Sequence, residues 1–325
     1  MFKQLAAFGV LLALLVVVLG AYVRLSDAGL GCPDWPGCYG NLIVDETPYG
    51  LDNALENYPE RPLEASKAWK EMIHRYFASA LGLVIIGLTV FAWKNPQLRQ
   101  RRLTSALLVL VVFQGALGMW TVTLLVKPVI VMGHLLGGLA ILSLLFLLLL
   151  RLGGERLPDT KKNAAIQAFG LICLLALVVQ IALGGWTSTN YAALACPSFP
   201  TCFGGSWEPT VDYQEGFVMW RGLGVDYEYG VLENHARAAI HWVHRIGALV
   251  TTLLLALLAW MLFKLGAIKE LSILLSCLLS QLVLGVMNVI FSLPLPLAVA
   301  HNAMAALLLL SMVYLNFMIR RDTYT

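Results

Sequence analysis

Four histidines in this 325-residue chain are placed so that they can act as two pairs. His74 and His134 recur as His244 and His301, at offsets of 170 and 167 residues, on different hydrophobic segments. Iron in a porphyrin accepts one axial nitrogen from each side, and two histidines at one depth on neighbouring helices of a bundle can supply them. A tetrahedral zinc site wants three or four close ligands, and each half offers too few. A single intramembrane histidine is most simply hydrogen-bonded inside a bundle. Four of them, duplicated as pairs, point to two haem-type sites. His235 and His241 are additional histidines near His244, and spacing alone leaves either open as a ligand.

One difference between the repeats bears on chemistry. Glu71 stands three residues before His74, whereas His241 stands three before His244. That spacing puts both members of a pair on one helix face. A carboxylate beside a bound porphyrin has no use in passive electron transfer but can move protons in a reaction; the plain alternative is a solvated acid at the span boundary. Arg75 and Arg245 directly follow His74 and His244. They can pair with propionates through bidentate hydrogen bonds or reach out to lipid headgroups.

The duplication extends beyond the histidines. Gly20, Cys32, Pro33, Pro36, Cys38 and Gly40 reappear 164 residues later as Gly184, Cys196, Pro197, Pro200, Cys202 and Gly204, and Gln114-x-x-Leu117-Gly118 reappears as Gln281-x-x-Leu284-Gly285. A repeat of this length is a duplicated domain and not a solenoid unit. The prolines can turn each short cysteine loop back on itself. Neither loop contains a histidine, so disulfides Cys32–Cys38 and Cys196–Cys202 are expected in an oxidising compartment. Cys173 and Cys277 read as small buried hydrophobes. The repeated glycines allow helices to approach closely, and Gln114 and Gln281 can bond across helices or line a pocket. Trp69, Trp120, Trp186, Trp242 and Tyr76 suit an interfacial aromatic belt.

The elements that must position these groups are membrane spans. The chain is 59% hydrophobic and 13% charged, against about 25% charged in soluble domains. Apolar runs at 5–23, 72–93, 103–126, 128–150, 164–187, 238–263, 271–293 and 297–319 each approach the ~20 residues that cross hydrocarbon as a helix. Residues 4–23 read as a first span and not a signal peptide: only Lys3 precedes the run and no small-x-small site follows it. With the N-terminus inside, the cytoplasmic segments hold 13 Lys and Arg but only Glu155, Asp159, Glu270 and Asp322 as acids. The positive-inside rule then puts both termini in the cytoplasm and the two cysteine-bearing connections outside. The expected fold is an all-α membrane protein of eight transmembrane helices, as two parallel four-helix-bundle repeats, 1–155 and 156–325. All four ligand histidines fall in the first turns of their apolar runs, near the outer face. A net charge of +3 without a basic, aromatic-interleaved patch gives no sign of nucleic-acid binding.

The run Val23-Arg24-Leu25-Ser26-Asp27-Ala28-Gly29-Leu30-Gly31-Cys32-Pro33-Asp34-Trp35-Pro36-Gly37-Cys38 closely resembles the first outer loop of the haem A synthase family. Glu71-x-x-His74-Arg75, His134, His244-Arg245 and His301 resemble that family's remaining signatures, in order, over essentially the whole chain. The resemblance implies an enzyme of the inner membrane that oxidises the C8 methyl of haem O to a formyl group through a hydroxymethyl stage, for terminal oxidases. It implies haem b held by His244 and His301, haem O received between His74 and His134, and Glu71 as the catalytic carboxylate. Arg24 joins Arg75 and Arg245 as a candidate propionate contact. Haem O synthase, oxidase assembly machinery and an unidentified electron acceptor are the implied partners, beside membrane lipid. Two other classes compete. A non-enzymatic dihaem carrier of the cytochrome b type usually stacks its haems at two depths and has no use for Glu71. A transporter would need polar residues or broken helices at mid-membrane, where these spans are almost purely apolar.

Overall fold

The computed structural model describes residues 1–153, 164–203, 205 and 209–320. The expected boundary between the halves at 155/156, with Glu155, Arg156, Asp159, Lys161 and Lys162, and the terminal Arg321 and Asp322, lie outside the described residues, as does Gly204. Among the described residues every regular element is helical: α1 (Phe2–Leu25), α2 (Pro48–Asn57), α3 (Ala65–Lys94), α4 (Arg101–Thr123), α5 (Pro128–Gly153), α6 (Ala164–Thr189), α7 (Tyr213–Gly216), α8 (Asn234–Lys264), α9 (Ile268–Ile290) and α10 (Leu295–Arg320). Eight of them, all but α2 and α7, are long and apolar enough to cross a membrane.

These helices are apolar nearly all round, which fits lipid on one side and protein on the other. Leu142, Leu145, Ile85, Leu88 and Leu255 are fully buried, while Leu83 and Val109 are 70% and 71% exposed on the same kind of surface. Helices α1, α5, α6 and α10 pack on one another at the centre. Helices α3 and α4 flank α1 and α5, and α8 and α9 flank α6 and α10. The central position of α10 shows in its burial, 56% of its span against 17% for α4 and α9.

Equivalent helix ends are closed by equivalent devices. The chain leaves α1 through Asp27 (φ 49°) with Ala28 N–H donating to the Val23 carbonyl, and leaves α6 through Tyr191 (φ 52°) with Ala192 N–H donating to Thr187. The α4–α5 and α9–α10 turns use Leu125-Val126 and Ser292-Leu293, all at positive φ. This left-handed cap satisfies carbonyls that a helix end leaves open.

Helices α3 and α8 begin earlier than their apolar runs, at Ala65 and Asn234 and not near 72 and 238. Polar residues continue the helix past the hydrocarbon: Lys67 bonds Glu64 at 3.0 Å, one turn away. His74 and His244 therefore sit in the third turns of their helices. Trp186 also departs from the interfacial reading, since it is buried and its indole N–H donates to the Gly216 carbonyl at 2.9 Å.

The long connections 26–64 and 190–233 cap one end of the bundle and bind each other. Arg61 pairs with Asp226 at 2.6 Å and Glu228 at 3.3 Å. Buried Lys127 donates to the Gly222 carbonyl at 3.0 Å and lies 3.6 Å from the centre of the Trp220 ring. A cavity of about 520 Å³ lies between these loops, lined by Gly31, Tyr39, Arg61, Asp226 and Glu228 among others, and by none of the four histidines.

Candidate active site

Each of the four histidines faces a glycine on the preceding span. A β-carbon at Gly20 would lie 3.0 Å from Cε1 of His74; at Gly118, 3.3 Å from His134; at Gly184, 3.1 Å from His244; and at Gly285, 3.1 Å from His301. Two of these four glycines repeat the other two, so the close approach is a property of each helix pair, α1–α3, α4–α5, α6–α8 and α9–α10. The missing side chains leave the imidazole rings room at the helix–helix seam.

The His74 and His134 rings, from α3 and α5, lie 6.4 Å apart between centroids. Two metal–nitrogen bonds of about 2 Å each, plus about 1 Å from nitrogen to ring centre on either side, give roughly this separation. Nδ1 of His74, of His134 and of His301 is buried, with the backbone of Val16, Gln114 and Gln281 respectively beside the ring. The His74–His134 spacing thus fits a haem iron in the first half, and His244 and His301 offer the same donor set in the second, close enough to influence each other electrostatically.

Glu71 is 5% exposed. Its Oε2 accepts from the Cys32 backbone N–H at 2.9 Å and its Oε1 pairs with Arg75. Arg75 in turn donates to the Asp34 and Pro36 carbonyls at 3.1 and 3.3 Å, and to Gly37. The second half repeats this pattern with different chemistry. His241 Nδ1 accepts from the Cys196 N–H at 3.2 Å, and Arg245 donates to the Ser198, Thr201 and Cys196 carbonyls at 2.8, 3.0 and 2.7 Å. Disulfides Cys32–Cys38 and Cys196–Cys202 close the two loops. His241 is thereby engaged with its loop, and His235 is exposed, 2.9 Å from the Thr210 carbonyl. Arg24 joins the halves: it donates to the Ser188 carbonyl at 2.6 Å and lies 4.2 Å from the Tyr191 ring centre.

The sequence pattern of the cytochrome oxidase assembly protein family, COX15-CtaA, matches residues 3–313. The chain belongs to this family. Among its relatives, the haem A synthase of Shewanella oneidensis is 47% identical over 306 residues, covering 94% of this chain and 92% of that protein. Those of Rhizorhabdus wittichii and Shouchella clausii are each 28% identical, covering 96% and 98% of this chain and 93% and 97% of the relatives. The resemblance read from the cysteine loop and the histidines is therefore one of whole-chain membership in the cytochrome oxidase assembly protein family.

The structure places Glu71 and Arg75 against the Cys32–Cys38 loop, His241 and Arg245 against the Cys196–Cys202 loop, and His74 opposite His134. It also adds residues that the sequence reading passed over. Gln180 Nε2 donates to the His244 carbonyl at 3.0 Å and lies 3.1 Å from His244 Nδ1. A signal was present: Gln180 precedes Gly184 by four residues, as Gln114 precedes Gly118 and Gln281 precedes Gly285.

Proposed function

We propose that this chain is a haem A synthase, an oxidoreductase that converts the C8 methyl of haem O to a formyl group through a hydroxymethyl stage. The observation that carries the reading is the His74–His134 pair at 6.4 Å, each ring facing a glycine of the preceding span, in a chain whose relatives are named for this synthesis.

In this reading residues 1–155 form the substrate half and residues 156–325 the resident half. His74 and His134 hold haem O. Haem b, held by His244 and His301, would supply one-electron redox chemistry. Glu71, one turn before His74, is the group on this chain able to take up a proton or steady positive charge beside the substrate. Its bonds to Cys32 and Arg75 fix where the carboxylate sits. Arg24, Arg75 and Arg245 are the candidate propionate contacts, and each would have to share its present bonds to Ser188, to the 34–37 carbonyls or to the 196–201 carbonyls with a propionate. Apolar, glycine-lined seams suit lateral entry of a farnesylated porphyrin from lipid.

The charge distribution along the chain supports an inner-membrane protein with both termini cytoplasmic and the haem sites near the periplasmic face. Haem O synthase upstream, oxidase assembly downstream and an electron acceptor are the partners that such a reaction requires.

The test is co-expression with a haem O synthase, followed by chromatography of the extracted haems. Haem A and the hydroxymethyl species should appear only when this chain is present. One observation favours a second reading, a non-enzymatic dihaem carrier: Glu71 makes the same loop contact that His241 makes in the other half. In that case the extract would contain haem O unchanged.

A further inference from the structure

Three of the four ligand histidines are held by a glutamine, and His74 is not. Gln114 Nε2 donates to the His134 carbonyl. Gln180 Nε2 donates to the His244 carbonyl at 3.0 Å and approaches its ring nitrogen at 3.1 Å. Gln281 Nε2 lies 3.2 Å from His301 Nε2. Each glutamine stands four residues before the glycine that faces its histidine. The corresponding residue before Gly20 is Val16, which meets His74 through its backbone and has no side-chain amide to offer.

The accommodation on the histidine-bearing helix is also different. Gly137 and Gly247 stand three residues after His134 and His244, and a β-carbon at either would collide with the Gln114 or Gln180 amide oxygen. The residue three after His74 is Phe77. Helical spacing puts it on the same face, where the glutamine would need room. His301, followed at the same spacing by Met304, keeps its glutamine without that glycine, so the absent glutamine is what sets His74 apart.

A hydrogen bond from a neighbouring helix to a ligand's own carbonyl or ring fixes where that ligand can stand. Loss of such an outer contact typically weakens metal binding about 10–100-fold. A resident haem needs both of its ligands fixed, whereas a site that takes in substrate and gives up product needs one ligand that yields. We propose that His74 is the exchangeable ligand of the substrate haem, while His134, clamped by Gln114, is its permanent one. Val16 is then a positioning residue by the amide it omits. This rests on the reading of the first half as the haem O site.

The experiment follows haem loss from purified protein, made in cells that supply haem O, to added apomyoglobin. Extraction distinguishes haem O and haem A from haem b. The wild type should lose haem O and haem A faster than haem b. Val16→Gln, or Val16→Gln with Phe77→Gly where the single variant does not accommodate the amide, should slow that loss by about tenfold or more. Gln114→Val should speed it by a similar factor. His74→Ala should keep first-half haem in a five-coordinate, high-spin form visible in the optical spectrum, whereas His134→Ala should lose it. The proposal is overturned if the restored clamp leaves the rate unchanged in protein that retains haem b, or if His74→Ala loses the haem and His134→Ala keeps it. Haem A still formed by the same wild-type cells would then leave the proposed function standing. Absence of haem A from those cells would overturn both.

Discussion

The backbone N–H of Cys32 donates to Glu71 Oε2 at 2.9 Å, and 164 residues later the N–H of Cys196 donates to His241 Nδ1 at 3.2 Å. A carboxylate and an imidazole thus dock the two disulfide loops in the same way. Docking alone therefore does not require a carboxylate at position 71, and the variants that separate docking from chemistry are Glu71→Gln and Glu71→His. Both retain a hydrogen-bond acceptor for Cys32, and the second copies the other half. Both should fold and keep haem b. Haem A formation should fall by about 10²–10³-fold, with haem O or the hydroxymethyl species accumulating, if Glu71 acts as base or electrostatic stabiliser. Chromatography of the extracted haems checks this. Wild-type yields from Glu71→His would leave the residue a loop anchor and nothing more.

The histidine pairs should divide their labour. His244→Ala and His301→Ala should strip the low-spin haem b from purified protein. His74→Ala and His134→Ala should leave haem b in place and abolish haem A formation. Haem b content by extraction and low-spin signals by electron paramagnetic resonance measure this directly. Equal loss of haem b from all four variants would contradict specialised halves.

The eight spans, the four histidines, both cysteine pairs and the odd carboxylate were legible because each has a local signature: an apolar run, a fixed spacing, a repeat. The starts of α3 and α8 were not legible, because polar residues such as Ser66 and Lys67 carry a helix beyond the apolar stretch that marks the span. Arg75 and Arg245 read as partners of propionates or headgroups, yet they bond loop carbonyls of 34–37 and 196–201. Backbone carbonyls folded into a small ring leave no trace in residue type. The same holds for Lys127 on the carbonyl of Gly222 and for Arg61 across to Asp226. These contacts join segments about 95 and 165 residues apart.

Stability at high pH should depend on Tyr39. Burial pushes its phenol up to about 12, and the hydroxyl donates to the Arg61 and Pro62 carbonyls at 3.1 and 3.3 Å. The folded value lies above the unfolded value near 10, so the neutral form is favoured by folding. Its contribution is fully present below about pH 10 and is lost as pH rises toward 12. Thermal unfolding of detergent-solubilised protein should therefore show a midpoint falling across that window, less steeply in Tyr39→Phe. The residual slope belongs to Tyr58, Tyr191 and Tyr227, whose phenols burial also raises. An identical pH profile in Tyr39→Phe would show that the phenol ionises freely in the folded protein.

The glycines opposite the histidines give the sharpest separation of the two sites. A β-carbon at Gly184 would stand 3.1 Å from His244 Cε1, and one at Gly20 would stand 3.0 Å from His74 Cε1. Ordinary carbon–carbon contact is about 3.5–4.0 Å, so each ring must retreat by several tenths of an ångström. Such a retreat moves an axial ligand without removing it. Gly184→Ala should therefore retain the helix bundle but weaken haem b binding by roughly 10–100-fold, the range seen when outer contacts of a ligand are disturbed, with a shift in the low-spin spectrum. Gly20→Ala should leave haem b and its spectrum unchanged and lower the yield of haem A. Gly184→Leu and Gly20→Leu should abolish the respective function, since a larger side chain cannot be absorbed by a small ring movement. Haem b content, its reduction potential and the extracted haem profile together read all four variants. A Gly20→Ala protein that loses haem b, or a Gly184→Ala protein whose spectrum and potential match the wild type, would mean that these seams do not set the ligand positions.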